Sequence, residues 1–584
     1  EISECLVGSE MCIRDSSKNR MSMKIMLRKI IVIIISFVTI GMMGSCEDIF
    51  NDLAVNPNQS DVNSFYTTLE NCNKGILGIY GYISTPRNLG ACGFGLMLTR
   101  SDEGCSVADY GVPGAYNEEF TPSYYSLVQP FQLMYTAASQ ANQMIESLTE
   151  IEFSNKELQD AYLGEAYFLR AFTHFFLFIN YRNIPLIKEL PKAPNEYKPQ
   201  ATPEEAWDFI IDDLIKAKDL LPDKNFWDAK NKGRVTKASA YALLGKSYLY
   251  RSGIEPKYGT SQITYYNEAA AAFAEIINGN CGDYRLVDDY SWNFDVAHEN
   301  NDESIFEVQF VGVLNTGFNP GFVDSGLFND VRCKMCIMNR SRNSNSSAQV
   351  MHNWLYDKFV ASKTVTGETD PRMFGSFVFN DNVSEIIRPK GMKVTFLEGK
   401  DWEAEMGSKE GTFGEQYELA MGYKMCSRKW LDWTLPPTDD AGGHFFNGRA
   451  QGVNWRMIRY SDVLLMYAEA VVMGGKATAN ITPLEAINKV RDRVGVPHVT
   501  EANMRTIEDE RILELTYEGS RFFDLLRWGK VVERFRELEN TDPLFKRFSR
   551  AQYMGFKENK NEWVPLPIDE VEGNPYITKN NPGW

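Results

Sequence analysis

The sequence is poor in the residues and motifs on which most catalytic and metal sites depend. It has only five histidines and ten cysteines among 584 residues. No histidine stands in an HExxH pattern, and neither a GxSxG motif nor an EF-hand loop occurs. Gly245-Lys246-Ser247 matches only the end of a P-loop, because Ala240 stands where the first glycine is needed and the run lies in a predicted helix. The residues therefore predict no enzyme, no cofactor and no metal ion.

Cysteine usage excludes a disulfide scaffold. Residues 46–584 hold eight cysteines, which is too few and too scattered for such a framework. Cys333 and Cys336 form a lone CxxC, without the second CxxC or histidine pair that a zinc site needs. We interpret this CxxC as part of an ordinary loop or as a single local disulfide.

Positive charge is also scarce. The formal net charge is −17, and removal of residues 1–45 would take away six Lys/Arg and four Asp/Glu, which leaves −19. Nucleic acids and anionic lipid surfaces are bound mainly through Lys and Arg, so neither is expected to bind this chain. Neutral ligands and other proteins are the more natural partners.

The first 45 residues are not expected in the working protein. Residues 1–20 do not fit a secretory signal and are interpreted as a non-native leader. Residues 21–45 show a basic start, a short apolar run at 30–40 and then small residues, as in a signal peptide. The alternative is a transmembrane anchor, but such a helix needs roughly 20 apolar residues.

Met43-Gly44-Ser45-Cys46 resembles a bacterial lipobox, in which the cysteine is lipidated and becomes the first residue. Several acyl chains at Cys46 would hold the protein stably on a membrane. Glu47 and Asp48 resemble the acidic residues that direct lipoproteins of Bacteroidota to the cell surface.

Most of the remaining chain shows helical periodicity. Apolar residues recur at steps of three and four in several segments, and Thr202-Pro203 has the pattern of an N-cap followed by proline at the first helical position. The predicted helices are 65–83, 130–148, 156–181, 203–221, 235–250, 265–277, 461–472, 483–493, 507–517 and 521–535.

Two of these helices carry a weak repeat. Leu163-Gly164-x-x-Tyr167 and Leu244-Gly245-x-x-Tyr248 fit the first helix of a tetratricopeptide unit, and Ala269 with Phe273 fits the second. The small residues let the partner helix approach closely. We predict irregular helix pairs rather than a regular solenoid.

Two stretches are predicted as long loops. Residues 100–125 are rich in Gly, Tyr and acidic residues, and residues 311–453 lack periodicity and are interpreted as loop with minor strands. A short strand is predicted at 302–310, where apolar and polar residues alternate. Long loops in a compact protein are usually functional.

The C-terminal segments resemble the SusD/RagB family. RYSDVLLMYAEA at 459–470 is similar to the family signature RxADVLLMYAEA, with Ser461 in place of Ala. Further runs that resemble the family are AINKVRDR at 486–493, ERILEL at 510–515, EGSRFFDLLRWG at 518–529, PLP at 565–567, and NP at 574–575 with NPGW at 581–584. Upstream runs are EAYFLRA at 165–171, GRVTK at 233–237 and ESIFE at 303–307.

The resemblance implies a mainly helical fold. Members of the family have tetratricopeptide-type helix pairs that form a right-handed superhelical scaffold, with minor β structure and a long loop-rich ligand-binding region. The implied division is an N-terminal SusD-like helical region at 46–310, the loop-rich region at 311–453 and a C-terminal SusD/RagB helical region at 454–584.

The resemblance also implies a function. Members of the family are lipid-anchored at the outer membrane, face outward, capture oligosaccharides and deliver them to a SusC-like TonB-dependent transporter. They are not enzymes. One alternative is a peptide-binding surface lipoprotein of the RagB type, and the other is a surface glycosidase, which would need two carboxylates roughly 5–10 Å apart in a cleft.

Candidate ligand-binding residues come from the two loop regions and from the segment before the predicted strand, because sugars stack on aromatic rings and hydrogen-bond to polar side chains. The alternative for each aromatic residue is core packing, and Trp292 could pack beneath the predicted strand. The candidates are Asp102, Tyr110, Tyr116, Trp292, Phe318, Asn319 and Phe322. By contrast, charged residues at helical spacing are predicted to form a network that ties two helices together rather than a catalytic pair: Glu510, Arg511, Glu514, Glu518, Arg521, Asp524 and Arg527.

Overall fold

In a computed structural model the chain divides into two compact units, Glu1–Tyr66 and Thr67–Trp584. The structure describes residues 65–85, 87–89, 92–106, 120–193, 196–259, 261–310, 349–379, 383–390, 392, 424–430, 452–542 and 555–584. Of the first unit only Phe65 and Tyr66 are described, and their rings meet edge to face at 5.0 Å. The predicted lipidation site Cys46 and the CxxC of Cys333 and Cys336 lie outside the described residues.

The second unit is mainly helical, as predicted. Its described residues form fifteen α-helices and six short strands, with two 3₁₀ helices, η1 (Tyr290–Phe294) and η2 (Val296–His298). The helices are α1 (Leu69–Ser84), α2 (Cys92–Leu98), α3 (Tyr125–Glu150), α4 (Lys156–Tyr181), α5 (Pro203–Leu220), α6 (Lys237–Tyr258), α7 (Tyr266–Ile277), α8 (Asn353–Ala361), α9 (Pro371–Ser376), α10 (Tyr460–Val472), α11 (Pro483–Arg493), α12 (Met504–Glu514), α13 (Arg521–Trp528), α14 (Val531–Thr541) and α15 (Ile568–Gly573). The strands are β1 (Gly104–Ser106), β2 (Ser304–Val308), β3 (Gln349–Met351), β4 (Phe377–Phe379), β5 (Met425–Ser427) and β6 (Trp455–Arg459).

Consecutive helices pack against one another and enclose the core. Helix α4 packs between α3 and α5, and α6 packs on α5 and α7. The two glycines of the repeat lie at close contacts with the neighbouring element in each case. A Cβ atom at Gly164 would lie 2.9 Å from Leu221, and one at Gly245 would lie 2.6 Å from the ring of Phe273. The predicted close approach of paired helices is therefore confirmed.

The helix boundaries follow from local capping. The Thr202 side chain accepts a hydrogen bond from the Glu205 N–H, while the Glu205 carboxylate accepts one from the Thr202 N–H. Thr482 and Glu485 form the same capping box at the start of α11. Each box satisfies backbone N–H groups that have no partner within the helix.

One predicted helix is two helices in the structure. The pattern at 521–535 predicted a continuous helix, but α13 ends at Trp528 and α14 begins at Val531. Gly529 adopts a left-handed conformation with φ of 72°, and the Lys530 N–H donates to the Leu525 carbonyl. This is the usual helix ending at a left-handed glycine, and apolar periodicity alone does not reveal it.

The region predicted as loop with minor strands also contains helices. Among its described residues are α8 and α9 as well as β3, β4 and β5. Helix α9 begins at Pro371. It is capped by Asp370, whose carboxylate accepts a hydrogen bond from the Arg372 N–H. Both helices are short, so they give too few turns for a detectable period.

The two described cysteine side chains, Cys72 and Cys281, are buried, and Cys281 is a free thiol. Burial raises the pKa of Cys72 to about 11 and the pKa of Cys281 to about 12, so both remain protonated. Within the described ranges, no helix combines the length and the apolar character needed to cross a bilayer.

Candidate binding site at one edge of the small sheet

A four-stranded antiparallel sheet in the order β1-β3-β5-β4 brings distant parts of the chain together. Ser106 at the end of β1 pairs with Gln349 at the start of β3, and Ser427 at the end of β5 pairs with Phe377 at the start of β4. Strands β3 and β5 pair at Val350 and Cys426. The backbone of Ser106, Gln349, Phe377 and Ser427 therefore lies along one edge of the sheet, which we call the binding edge.

Five of the seven predicted ligand-binding residues belong to the two sequence segments that directly follow Ser106 or directly precede Gln349. Tyr110 and Tyr116 follow β1, and Phe318, Asn319 and Phe322 precede β3. All five lie outside the described residues, so their role stays a prediction. The pairing of β1 with β3 shows only that the two segments meet the sheet at adjacent strand ends.

Asp102 lies two residues before β1 and is fully buried. Its carboxylate accepts hydrogen bonds from Arg521 Nε and Nη2 at 2.8 and 3.0 Å, and from Arg534 Nε at 2.6 Å. Burial opposes ionisation, but the two guanidinium groups outweigh it and lower the pKa of Asp102 to about 2. A ligand reaches this carboxylate only if one of these ion pairs opens, so ligand binding by Asp102 stays a prediction.

Trp292 lies in η1 and is half-buried. Its ring stacks on the ring of His298, with a centroid distance of 4.5 Å and an interplanar angle of 3°. His298 is held in turn by a 2.7 Å contact between its Nδ1 and the Asp295 carboxylate. The two parallel rings form a flat, partly exposed aromatic surface of the kind on which the apolar face of a ligand ring can pack.

The 3₁₀ helix η1 is fixed beside the binding edge through Tyr290. The Tyr290 hydroxyl lies 3.1 Å from Ser376 Oγ and donates to the Glu514 carbonyl at 3.0 Å. Gly375 lets the Tyr290 ring approach, since a Cβ there would lie 2.7 Å from it. Ser376 directly precedes Phe377 of the binding edge, so Trp292 is carried by a segment that packs at this edge.

Lys429 makes a second link between η1 and the sheet. It lies two residues after Ser427, and its ammonium is 4.3 Å from the centre of the Phe294 ring. The same ammonium donates to the Thr516 carbonyl at 2.6 Å and to Glu518 Oε1 at 2.7 Å. No sequence pattern singled out Lys429, because its partners are 87 and 89 residues away.

The predicted charged network is present and extends beyond two helices. Arg511 pairs with Asp524 and Asp462, and Arg527 pairs with Glu469. The charged side chains of the network also pair with residues in other parts of the fold. These additional partners are Asp102, Arg372, Lys429, Arg459 and Arg493.

Glu514 shows why this network is structural. Its side chain is fully buried among Arg372, Arg459 and Arg493. Burial raises the pKa of a carboxylate, but these three guanidinium groups hold the pKa of Glu514 well below its usual value. A buried, fully paired carboxylate has no lone pair facing a substrate. Among the residues that the structure describes, no cluster of three or more His, Cys, Asp or Glu side chains could hold a metal ion.

Comparison with protein families gives two matches on this chain. A model described as the SusD family matches residues 302–584. A second model, described as starch-binding associating with outer membrane, matches residues 100–249.

A curated relative, SusD-like protein P2 of Formosa agariphila, is 25% identical over 545 residues, which is 89% of this chain and 94% of the relative. Solved structures with a similar fold include a SusD superfamily protein from Bacteroides vulgatus, with 22% identity, a TM-score of 0.65 and coverage of 89% of this chain and 100% of the other. A laminarin binding SusD-like protein shows 23% identity, a TM-score of 0.64 and coverage of 88% and 99%. Surface glycan-binding protein A from Bacteroides fluxus shows 21% identity, a TM-score of 0.64 and coverage of 89% and 100%.

Proposed function

Because the chain belongs to the SusD family, we propose that it binds oligosaccharides at the cell surface and delivers them to a SusC-like TonB-dependent transporter. The observation that carries this proposal is the pair of family matches, one of which is described as starch-binding and associating with the outer membrane. Two proteins of similar fold are named as laminarin-binding and as surface glycan-binding.

The half-buried stack of Trp292 and His298 supports a carbohydrate ligand. Sugar rings have an apolar face, which packs on aromatic rings, and a hydroxyl rim, which needs polar partners. The net charge of −17 disfavours acidic ligands, so we propose a neutral oligosaccharide. Tyr110, Tyr116, Phe318, Asn319 and Phe322 are proposed to complete the site.

We also propose that the protein is held at the membrane by lipid on Cys46, with residues 46–310 and 454–584 as scaffold and 311–453 as the ligand-binding region. Each buried methylene of an acyl chain contributes about 0.8 kcal/mol, so several chains are sufficient for stable anchoring. Mass spectrometry of the protein from its native membrane tests this anchor. A mature N-terminus other than an acylated Cys46 contradicts it.

Ligand binding without cleavage is the proposed activity. In support, the carboxylates of Glu510, Glu514 and Asp524 are buried and ion-paired, so they are not exposed to a bound glycan. Incubation of the protein with each glycan it binds, followed by chromatography of the sugar, tests this point. Release of shorter oligosaccharides would favour the glycosidase alternative.

A glycan array tests the central proposal, followed by calorimetry with each glycan that is retained and with laminarin oligosaccharides. We expect binding with a dissociation constant on the order of 0.1 mM, since few atoms are desolvated and the ligand must be released onward. A protein that binds none of these glycans but binds peptides on a parallel array would be of the RagB type. Failure to co-purify with any outer-membrane barrel protein from the native membrane would contradict delivery to a transporter.

A further inference from the structure

The turn between α12 and α13 is buried and strained. Thr516, Tyr517 and Glu518, which we call the hub turn, are 0%, 3% and 8% exposed. Tyr517 has a φ of 56°, a left-handed conformation that is uncommon for a residue with a side chain. Such a conformation is energetically unfavourable and persists only where surrounding contacts hold it.

The contacts that hold the hub turn come from residues beside three different strands. Glu103, next to β1, accepts from the Tyr517 N–H at 2.5 Å and from Thr516 Oγ1 at 3.2 Å. Arg459, at the end of β6, donates to both Glu518 oxygens at 2.9 Å. Lys429, just beyond β5, donates hydrogen bonds from its ammonium to the Thr516 carbonyl and to Glu518 Oε1.

Arg459 also faces the Tyr290 ring of η1, at 5.7 Å, but Lys429 lies closer and faces two rings of η1. Its ammonium is fully buried and lies 4.3 Å from the Phe294 ring centre and 5.3 Å from that of Tyr290. A desolvated ammonium over an aromatic ring is attracted by the negative charge density of the ring face. One charged group therefore joins the end of β5, η1 and the hub turn.

We propose that Lys429 is a positioning residue for the binding edge: its ammonium ties η1 to the hub turn and to β5, and so fixes the orientation of Trp292 and sets the affinity for ligand. The effect on ligand affinity rests on the proposed function. The effect on the orientation of Trp292 does not, because that orientation can be measured without any ligand.

The charge on Lys429 can be removed without mutation. Burial lowers the pKa of Lys429 to about 8, despite the neighbouring carboxylates of Glu518 and Glu514, while Arg459 lowers this pKa further. Raising the pH from 7.5 to 9.5 therefore neutralises the ammonium and weakens its bonds to the hub turn. The Tyr290 hydroxyl stays protonated in this range, because burial raises its pKa well above 10.

Other groups near the same elements also titrate. Burial raises the pKa of Glu103 to about 7 and lowers the pKa of Arg428 to about 10. Arg428 adjoins Lys429 and is influenced by Asp289 and Asp295, which flank η1. Glu103 is therefore replaced in a parallel sample as Glu103→Gln, in which the titration of the Trp292 resonance should persist.

The experiment is ¹⁹F NMR of the protein labelled with 5-fluorotryptophan. The Trp292 resonance is assigned by its loss in Trp292→Phe. In the wild type we expect this resonance to shift between pH 7.5 and 9.5 with a midpoint near the pKa of Lys429. In Lys429→Met it stays at the high-pH position throughout, and in Lys429→Arg, which remains charged, it stays at the low-pH position.

Lys246→Met is the matched control. Lys246 is also a buried lysine and lies 5.7 Å from the Tyr250 ring centre. Its ion pair, at 3.5 Å, is with Asp462 of α10, whereas that of Lys429 is with the hub turn. The Trp292 resonance of this variant should titrate as in the wild type. A Trp292 resonance that does not move in the wild type, or that titrates equally in Lys429→Met, overturns the proposal. If Lys429→Met does not fold, the wild type and Lys429→Arg still decide the outcome.

Binding of a glycan retained on the array tests whether Lys429 sets the affinity for ligand. At pH 7.5 we expect Lys429→Met to lower the affinity at least fivefold and Lys246→Met to leave it unchanged. An unchanged affinity in Lys429→Met shows that Lys429 does not set ligand affinity. Absence of glycan binding by the wild type, together with the expected NMR titration, contradicts the proposed function and not the positioning of Trp292.

Discussion

The Asp102 carboxylate and the Arg521 guanidinium form a two-bonded ion pair, at 2.8 and 3.0 Å, across 419 residues of sequence. This pair joins the start of β1 to the start of α13. Of the two predicted ligand-binding residues that the structure describes, Asp102 is fully buried and Trp292 is half-buried. Its carboxylate has a structural role, whatever its part in ligand binding.

Asp102→Asn should strongly destabilise the protein. The substitution leaves Arg521 and Arg534 without their common counter-charge, and breaking a buried pair by removing one partner costs about 3–5 kcal/mol. Urea unfolding at pH 7 measures the change. The control is Asp219→Asn, which removes a surface pair with Lys218 and should cost less than about 1 kcal/mol. Equal effects of the two variants would contradict a structural role for Asp102.

Glu103 should make stability depend on pH. Its hydrogen bonds come from neutral donors, and burial raises its pKa to about 7 in the folded protein from 4.5. The Glu103 carboxyl therefore binds its proton more tightly in the folded than in the unfolded state, and this binding stabilises the fold. The stabilisation is full below pH 4.5, the unfolded pKa, and is lost as the pH rises through 7, the folded pKa. At about 1.4 kcal/mol per pKa unit the loss is on the order of 3 kcal/mol.

Glu103→Gln isolates this effect, since other groups titrate in both proteins. We expect the unfolding free energy of wild type relative to Glu103→Gln to fall between pH 5 and pH 8, as measured by urea unfolding at unit steps of pH. A difference that stays constant over this range would show that the carboxyl does not titrate there.

Two helical glycines should respond to alanine in opposite directions. Gly245→Ala places a methyl group 2.6 Å from the Phe273 ring, and overpacking a core in this way costs about 1–3 kcal/mol. Gly78 in α1 has nothing within 4 Å of a Cβ, so Gly78→Ala should stabilise the protein by about 0.5–1 kcal/mol through helix propensity. Thermal unfolding of both variants measures the signs. A neutral Gly245→Ala would mean that α6 and α7 separate easily.

Trp292→Ala should weaken binding of any glycan retained on the array by about tenfold, because removing an aromatic platform costs roughly 1.4 kcal/mol or more. The matched control is Trp227→Ala, since Trp227 is also half-buried and stacked, on Tyr162 at 6.3 Å and 10°, but lies in a different part of the chain. Calorimetry on both variants separates the two sites. Equal losses would indicate a general structural effect.

Much of the helical scaffold could be predicted from local sequence. Helices 156–181 and 483–493 begin and end where the pattern placed them, because apolar periodicity and capping residues act within a few positions. The division of 521–535 at Gly529 was missed, because a glycine in a helical pattern has the same appearance whether it continues the helix or ends it.

The contacts at the binding edge could not be predicted from local sequence. The sequence by itself determined which residues can form helices, the family motifs at 459–470 and 510–529, and the acidic charge, since these are properties of single residues and near neighbours. Only the tertiary structure decided that Ser106 lies beside Gln349, that Trp292 stacks on His298 and that Lys429 reaches Thr516. Strand pairing and buried ion pairs depend on contacts between residues that are far apart in sequence, and no local preference specifies such partners.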